Sequence, residues 1–395
     1  MKNYKYILSI LLILFLPEGI SIHLHINTIS FGALVSWIFI LFLNYRRNDE
    51  NLRFNNYFFV LLFIILFFII LSLFSGIIIN RNFNYNRYFL STLLIIIELF
   101  SAFVLTKKIR QLPSSKLDFY IKKIAIILLL LSYVSLLKWT LTSASSKEMI
   151  FFTEPSHYAI ASSPFFIYYI FKSEKKNKIL FTLLLFLAAL LMENLTLLLP
   201  LIIAIAFYNK KILLIFTSIM TVLLPIIGPK YYAYITARTT TMLDSDNENL
   251  SALVYLQGWE YVIATIKTFN GFGIGFQQLG EIRLQSKSQD LLEYLGYPFN
   301  QNDGSFFFSK FFVEFGWIAL LTTIIYLVFT IIIYFNLNKI LKSNDSFKLF
   351  TSITFISFLI PLFVRSSSYY NPTLYIFYMS IISFGLNSNT LNEKK

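Results

Sequence analysis

Long runs of Leu, Ile and Phe, each about 15 to 23 residues and separated by short polar clusters, limit this chain more than any other feature. A helix rises about 1.5 Å per residue, so roughly 20 apolar residues cross a hydrocarbon layer of about 30 Å. Composition agrees: 57% of the 395 residues are hydrophobic, 18% aromatic and only 13% charged. Soluble domains carry about a quarter charged residues, so this balance excludes a water-soluble enzyme and a disordered chain. Disulfides, thiolate metal sites and cysteine nucleophiles are excluded as well, because there is no cysteine.

The blocks predict an all-α integral membrane protein with about twelve transmembrane helices. They lie near 5–21, 26–43, 57–79, 88–106, 121–141, 157–171, 179–193, 195–208, 211–228, 306–335, 347–364 and 373–386. In the block 306–335, the stretch from Phe306 to Gly316 is expected to lie along the membrane interface before the span proper. A polar pair in Met192-Glu193-Asn194 divides 179–208 into two spans. The resulting layout is a bundle of nine spans (1–228), one large loop (229–305), and three further spans with a short tail (306–395).

Loop charge sets the orientation. With the N-terminus inside, 22 of the 33 Lys and Arg residues fall in cytoplasmic segments, among them Arg46, Arg47, Lys107, Lys108, Lys175 and Lys176. Both termini are then cytoplasmic. The formal charge of +13 is thus explained by topology and does not imply a nucleic-acid partner. The basic, apolar N-terminus reads as an uncleaved first span, since Leu16-Pro17-Glu18-Gly19 follows it in place of a small-residue cleavage site. Within the large loop, apolar residues from Leu250 to Thr268 recur at helical spacing, which predicts an amphipathic helix docked on the interface or on the bundle.

No nucleotide, zinc-protease or serine-hydrolase motif is present, and no cofactor is expected. Gly271-Phe272-Gly273-Ile274-Gly275 lacks dinucleotide-loop spacing and reads as a flexible turn. His23, His25 and His157 are too few and too scattered to suggest a metal. The chemistry-bearing residues cluster at the outer boundary. In Thr153-Glu154-Pro155-Ser156-His157-Tyr158, Pro155 suits the first helical turn, where Glu154 would meet free N–H groups. Glu154 or His157 has the chemistry of a general base on a hydroxyl. Acids at membrane depth or its edge (Glu18, Glu98, Glu193, Glu314) are costly there and mark functional suspects. Arg238, Arg283 and Arg365 are outside by this topology, and a guanidinium fork matches phosphate oxygens.

Four stretches together resemble the Wzy-type O-antigen polymerases and the related O-antigen ligases. They are Phe152 to Tyr158 entering a span; Leu250-Ser251 through Trp259 followed by Phe272-Gly273-Ile274-Gly275-Phe276; Asn302-Asp303-Gly304-Ser305 through Glu314-Phe315-Gly316; and Arg365 to Pro372. Two positions depart from the family pattern. Tyr255 stands about where the large-loop arginine is often found, leaving Arg238 or Arg283 for that charge, and Asp303 replaces the loop-exit histidine of ligase-like members.

The resemblance implies a bacterial inner-membrane glycosyltransferase with a large periplasmic loop. It would join oligosaccharide repeat units carried on undecaprenyl pyrophosphate, with membrane lipids around it and a chain-length-regulator protein as a partner. Arg238, Arg283 and Arg365 would hold the pyrophosphate, and Glu154 or His157 would take the acceptor proton. Tyr255, Trp259, Tyr369 and Tyr370 would stack on sugar rings. A ligase acting on lipid A core, or a flippase of the same lipid-linked unit, is the alternative.

Overall fold

The computed structural model describes residues 4–25, 28–44, 56–80, 82–142, 148–208, 250–297, 301–366 and 368–392. Among these the chain is helical, with no strand. The helices are α1 (Tyr4–Leu24), α2 (Ile29–Asn44), α3 (Asn56–Ile79), α4 (Tyr85–Arg110), α5 (Ser114–Thr142), α6 (Pro155–Lys172), α7 (Lys175–Leu191) and α8 (Leu195–Tyr208). After the large loop's first part come α9 (Leu250–Phe269), α10 (Lys287–Tyr294), α11 (Phe307–Phe315), α12 (Trp317–Lys342), α13 (Ser346–Ser357), α14 (Leu359–Phe363) and α15 (Pro372–Asn392). The block 211–228 and Arg238 lie outside the described residues.

Among the described residues, six helical stretches are long and apolar enough to cross a membrane: α1, α3, α4, α5, α12, and α13 with α14 taken together. Their burial separates centre from rim. The α13–α14 stretch is 83% buried within its apolar window, whereas α3 is 17% and α12 28%. On α3 and α12 the apolar residues that face outward (Phe63, Phe67, Phe74, Phe329, Phe335) are large, which suits a lipid-facing rim. Hydroxyls tie the inner helices to one another's carbonyls. Tyr158 donates to Leu128 O (2.7 Å), Tyr326 to Phe355 O (2.8 Å) and Ser380 to Thr351 O (2.7 Å). Without a hydrophobic drive between helices in lipid, such links of about 0.5–2 kcal/mol each help select the packing.

Two of the apolar blocks are interrupted, one of them at Gly316, where the interfacial stretch was expected to give way to the span proper. In 306–335 the break falls at Gly316, whose φ of 62° ends α11 and redirects α12. Only a residue without a Cβ takes that φ freely, and the Gly271 carbonyl lies where a Cβ would stand. In 347–364 the break falls at Phe358, because Pro361 has no N–H for the Ser357 carbonyl. The division of 179–208 coincides with the end of α7 at Leu191 and the start of α8 at Leu195, with Glu193 at a φ of 51° between them.

The glycine-rich stretch 271–275 corrects the expectation of a flexible turn. Ile274 N–H donates to Val313 O (2.9 Å) and Gly275 N–H to Glu314 O (3.1 Å), so the segment is bonded along the end of α11. The Glu314 carbonyl occupies the place a Cβ at Gly273 would need. The glycines serve close backbone approach, not mobility. Helix α9 lies against α10 and α11, with Tyr261, Ala264, Ile274, Leu279, Leu284 and Val313 forming a small apolar cluster beneath it.

Candidate functional site

Helix α6 begins where Pro155 takes its first position and Glu154 stands extended before it (φ −138°, ψ 149°). The approach to this point is anchored. Phe152 is fully buried and packs edge-on against Tyr158 at 5.6 Å, while Met149 N–H donates to Phe152 O (2.9 Å). From α8's start, Asn194 Nδ2 donates to the Pro155 carbonyl at 2.7 Å. Thr153, Glu154 and His157 are therefore held in one turn. Glu154 makes no side-chain bond to the free N–H groups of the helix N-terminus beside it.

Glu154 instead faces the last loop. One guanidinium nitrogen of Arg365 donates to both of its carboxylate oxygens, at 2.9 and 3.1 Å, and Ser156 Oγ donates to it at 2.8 Å. Burial acts to raise the Glu154 carboxyl, but the Arg365 guanidinium and its neighbours outweigh burial and hold it at about 2. Arg365 is itself placed by the chain around it: the next residue, Ser366, donates its N–H to Ser305 O at 3.0 Å, joining the last loop to the large loop's exit. The Nε of Arg365 is buried and has no acceptor among the described residues.

On the other side of the same turn lies Glu18 of α1. Its carboxylate Oε2 accepts from Thr153 N–H (2.8 Å) and from Thr153 Oγ1 (2.8 Å), and stands 3.1 Å from His157 Nδ1. Glu18 is 1% exposed and the His157 side chain 11%. The residues that meet here are 139 and 211 positions apart in the chain (Glu18 to His157, Glu154 to Arg365).

The other expected site residues divide differently. Arg283 is spent within its own loop, on Asp290 (2.9 Å) and Glu293 (3.0 Å). Hydrogen bonding to Asp290 raises its already high pKa. Tyr255 and Trp259, half-buried on α9, pack on Phe306 with ring centroids 5.4 and 5.1 Å away. Tyr369 and Tyr370 are only 4% and 6% exposed. Tyr369 packs among Phe276 and Phe307, and Tyr370 donates to Ser91 O at 3.2 Å. These tyrosines stand inside the protein, because ring packing buries more apolar area than a loop position in water would. Open stacking faces for sugars are therefore not found at 369–370.

One residue was not anticipated. Lys310, on α11, is 2% exposed. Its Nζ donates to Asn302 O (2.6 Å), lies 3.9 Å from Glu314 and sits over the Tyr369 ring at 5.3 Å. A lone cation inside Phe306-Phe307-Phe308-Ser309-Lys310-Phe311-Phe312 was the available signal. Beside it opens an apolar groove of about 640 Å³ between α3, α12 and α15, whose walls include Leu61, Phe68, Tyr326, Phe329 and Phe377. Phe276, Phe307, Phe315 and Tyr369 also line it, and Tyr369 belongs to the same last loop as Arg365. Among the described residues, no three His, Asp or Glu side chains are grouped as metal ligands would be.

Fold and site together define a multi-pass helical membrane protein whose polar centre joins α1, the start of α6 and the last loop. Comparison with protein-family models, curated proteins and solved structures finds no match to the chain.

Proposed function

We propose that this protein is an O-antigen polymerase of the Wzy type, joining undecaprenyl-pyrophosphate-linked oligosaccharide repeat units at the periplasmic face of the bacterial inner membrane. The observation that carries this reading is the convergence of Arg365, Glu154 and His157, together with an apolar groove whose lining includes Tyr369 of the same last loop as Arg365. A lipid-linked glycan needs both halves of that arrangement: an apolar channel for its polyprenyl tail and a polar centre at the tail's head. In this reading Arg365 exchanges part of its contact with Glu154 for the substrate pyrophosphate and stabilises the charge that develops as it leaves. The donor brings its own leaving group, so no nucleotide is consumed. About twelve spans with both termini cytoplasmic put the large loop on the periplasmic side, where a chain-length regulator would meet it.

The test is a lipopolysaccharide gel of a strain lacking the gene, with and without its restoration. A single band of core plus one repeat unit in the deletion, and a returning ladder on restoration, supports the polymerase. Polymer left on the lipid carrier indicates a ligase, and repeat units trapped inside indicate a flippase.

A further inference from the structure

The polymerase reading leaves the base open between Glu154 and His157, and the contacts around each decide differently. Glu154 is engaged by Arg365 and Ser156. His157 is engaged at one ring nitrogen only: Nδ1 stands 3.1 Å from Thr153 Oγ1 and 3.1 Å from Glu18 Oε2, while among the described residues nothing hydrogen-bonds Nε2. A carboxylate offers acceptors alone. The one hydrogen of the Thr153 hydroxyl is already donated to Glu18, so Thr153 too presents only an acceptor to the ring. Both neighbours of Nδ1 therefore call for a hydrogen on that nitrogen, and in the neutral ring the lone pair then falls on Nε2.

We propose that Glu18 is a positioning residue that fixes the ring and tautomer of His157, making Nε2 the base of the reaction. The inference rests on the polymerase reading for the proton that Nε2 takes. Nε2 removes the hydrogen of the acceptor sugar hydroxyl. That oxygen forms a bond to the donor's anomeric carbon, whose bond to the pyrophosphate oxygen breaks with its electron pair leaving on undecaprenyl pyrophosphate. The imidazolium, held by Glu18, then returns its proton to water. The charged groups facing the ring are Glu18 from α1, Glu154 from the start of α6 and Arg365 from the last loop. Among the described residues, Glu18 is thus the one carboxylate near the ring that is not committed to the arginine.

A purely structural Glu18 would also hold Thr153, so the test needs readouts that role does not move. The chain has three histidines, which makes a nitrogen-15 spectrum of histidine-labelled protein in nanodiscs tractable; His157→Ala assigns the resonances. At a pH high enough to make the ring neutral, the expected wild-type spectrum shows a protonated Nδ1 and a bare Nε2. The reverse tautomer overturns the proposal, and no variant is needed to see it. With synthetic lipid-linked repeat units, Glu18→Gln is expected to lower kcat by about 100-fold with KM little changed, in the range of general-base catalysis. Glu18→Asp should recover part of that loss. Unchanged kcat in Glu18→Gln overturns the positioning role. If the wild-type protein builds no polymer, the function reading fails, and the nitrogen spectrum alone decides whether Glu18 sets the tautomer.

Discussion

What a carboxylate in a membrane bundle contributes depends on its partners, and Glu154 and Glu98 show the two extremes. Glu154 has Arg365 at 2.9 Å and is held at about 2. Its folded value is below the ordinary 4.5, so the stability it contributes is fully present above pH 4.5 and is lost as pH falls through about 2. The melting temperature of wild type minus that of Glu154→Gln should therefore stay constant from pH 7 to 5 and vanish toward pH 2; a difference already lost at pH 5 would contradict the pairing. In cells, Glu154→Gln and Arg365→Ala should each abolish the polymer ladder at normal expression, and full ladders from both would refute this site while leaving the family reading untouched. Glu98, in mid-α4, is fully buried, and neither of its oxygens has a hydrogen-bond partner among the described residues. Burying a polar group without a partner costs about 1–3 kcal/mol. Glu98→Met should accordingly raise the melting temperature in detergent, read by tryptophan fluorescence.

At the scale of elements, the helices themselves were legible and their interruptions were less so. The amphipathic spacing over 250–268 corresponds to α9, and the polar pair after Met192 to the gap between α7 and α8. The division at Gly316 was legible only from the length of its block, because a lone glycine in a Phe-rich run reads equally as a tolerated helix residue. Its role becomes visible only where the 271–273 backbone lies against it. Gly296 is a natural control: it too has positive φ (82°), but nothing lies within 4 Å of a built Cβ. Gly296→Ala should cost only the backbone strain of about 1 kcal/mol. Gly316→Ala should cost clearly more, roughly 2–4 kcal/mol, since contact with the Gly271 carbonyl adds to the strain. Equal losses of melting temperature in the two variants would argue against the packed junction.

For the whole molecule, the absence of cysteine turns topology into a direct measurement. Single cysteines at exposed Lys175 and Asp290 should label oppositely with a membrane-impermeant maleimide on intact spheroplasts. Asp290→Cys is expected to react at once and Lys175→Cys only after permeabilisation; the reverse would invert the proposed orientation. What the sequence by itself determined is the class: a bilayer demands long apolar helices whose backbone groups are satisfied within the segment, so each helix is written in its own local run of residues. Loop charge belongs to the same local kind of information. The site is another matter. Glu18 was visible as a costly acid, His157 as a lone imidazole and Arg365 as a loop cation, but each is polar in a way that suits several partners. Which carboxylate takes the arginine and which takes the imidazole depends on how α1, the start of α6 and the last loop pack across 139 and 211 residues of chain. That pairing is set by interhelical geometry, and only the tertiary structure decided it.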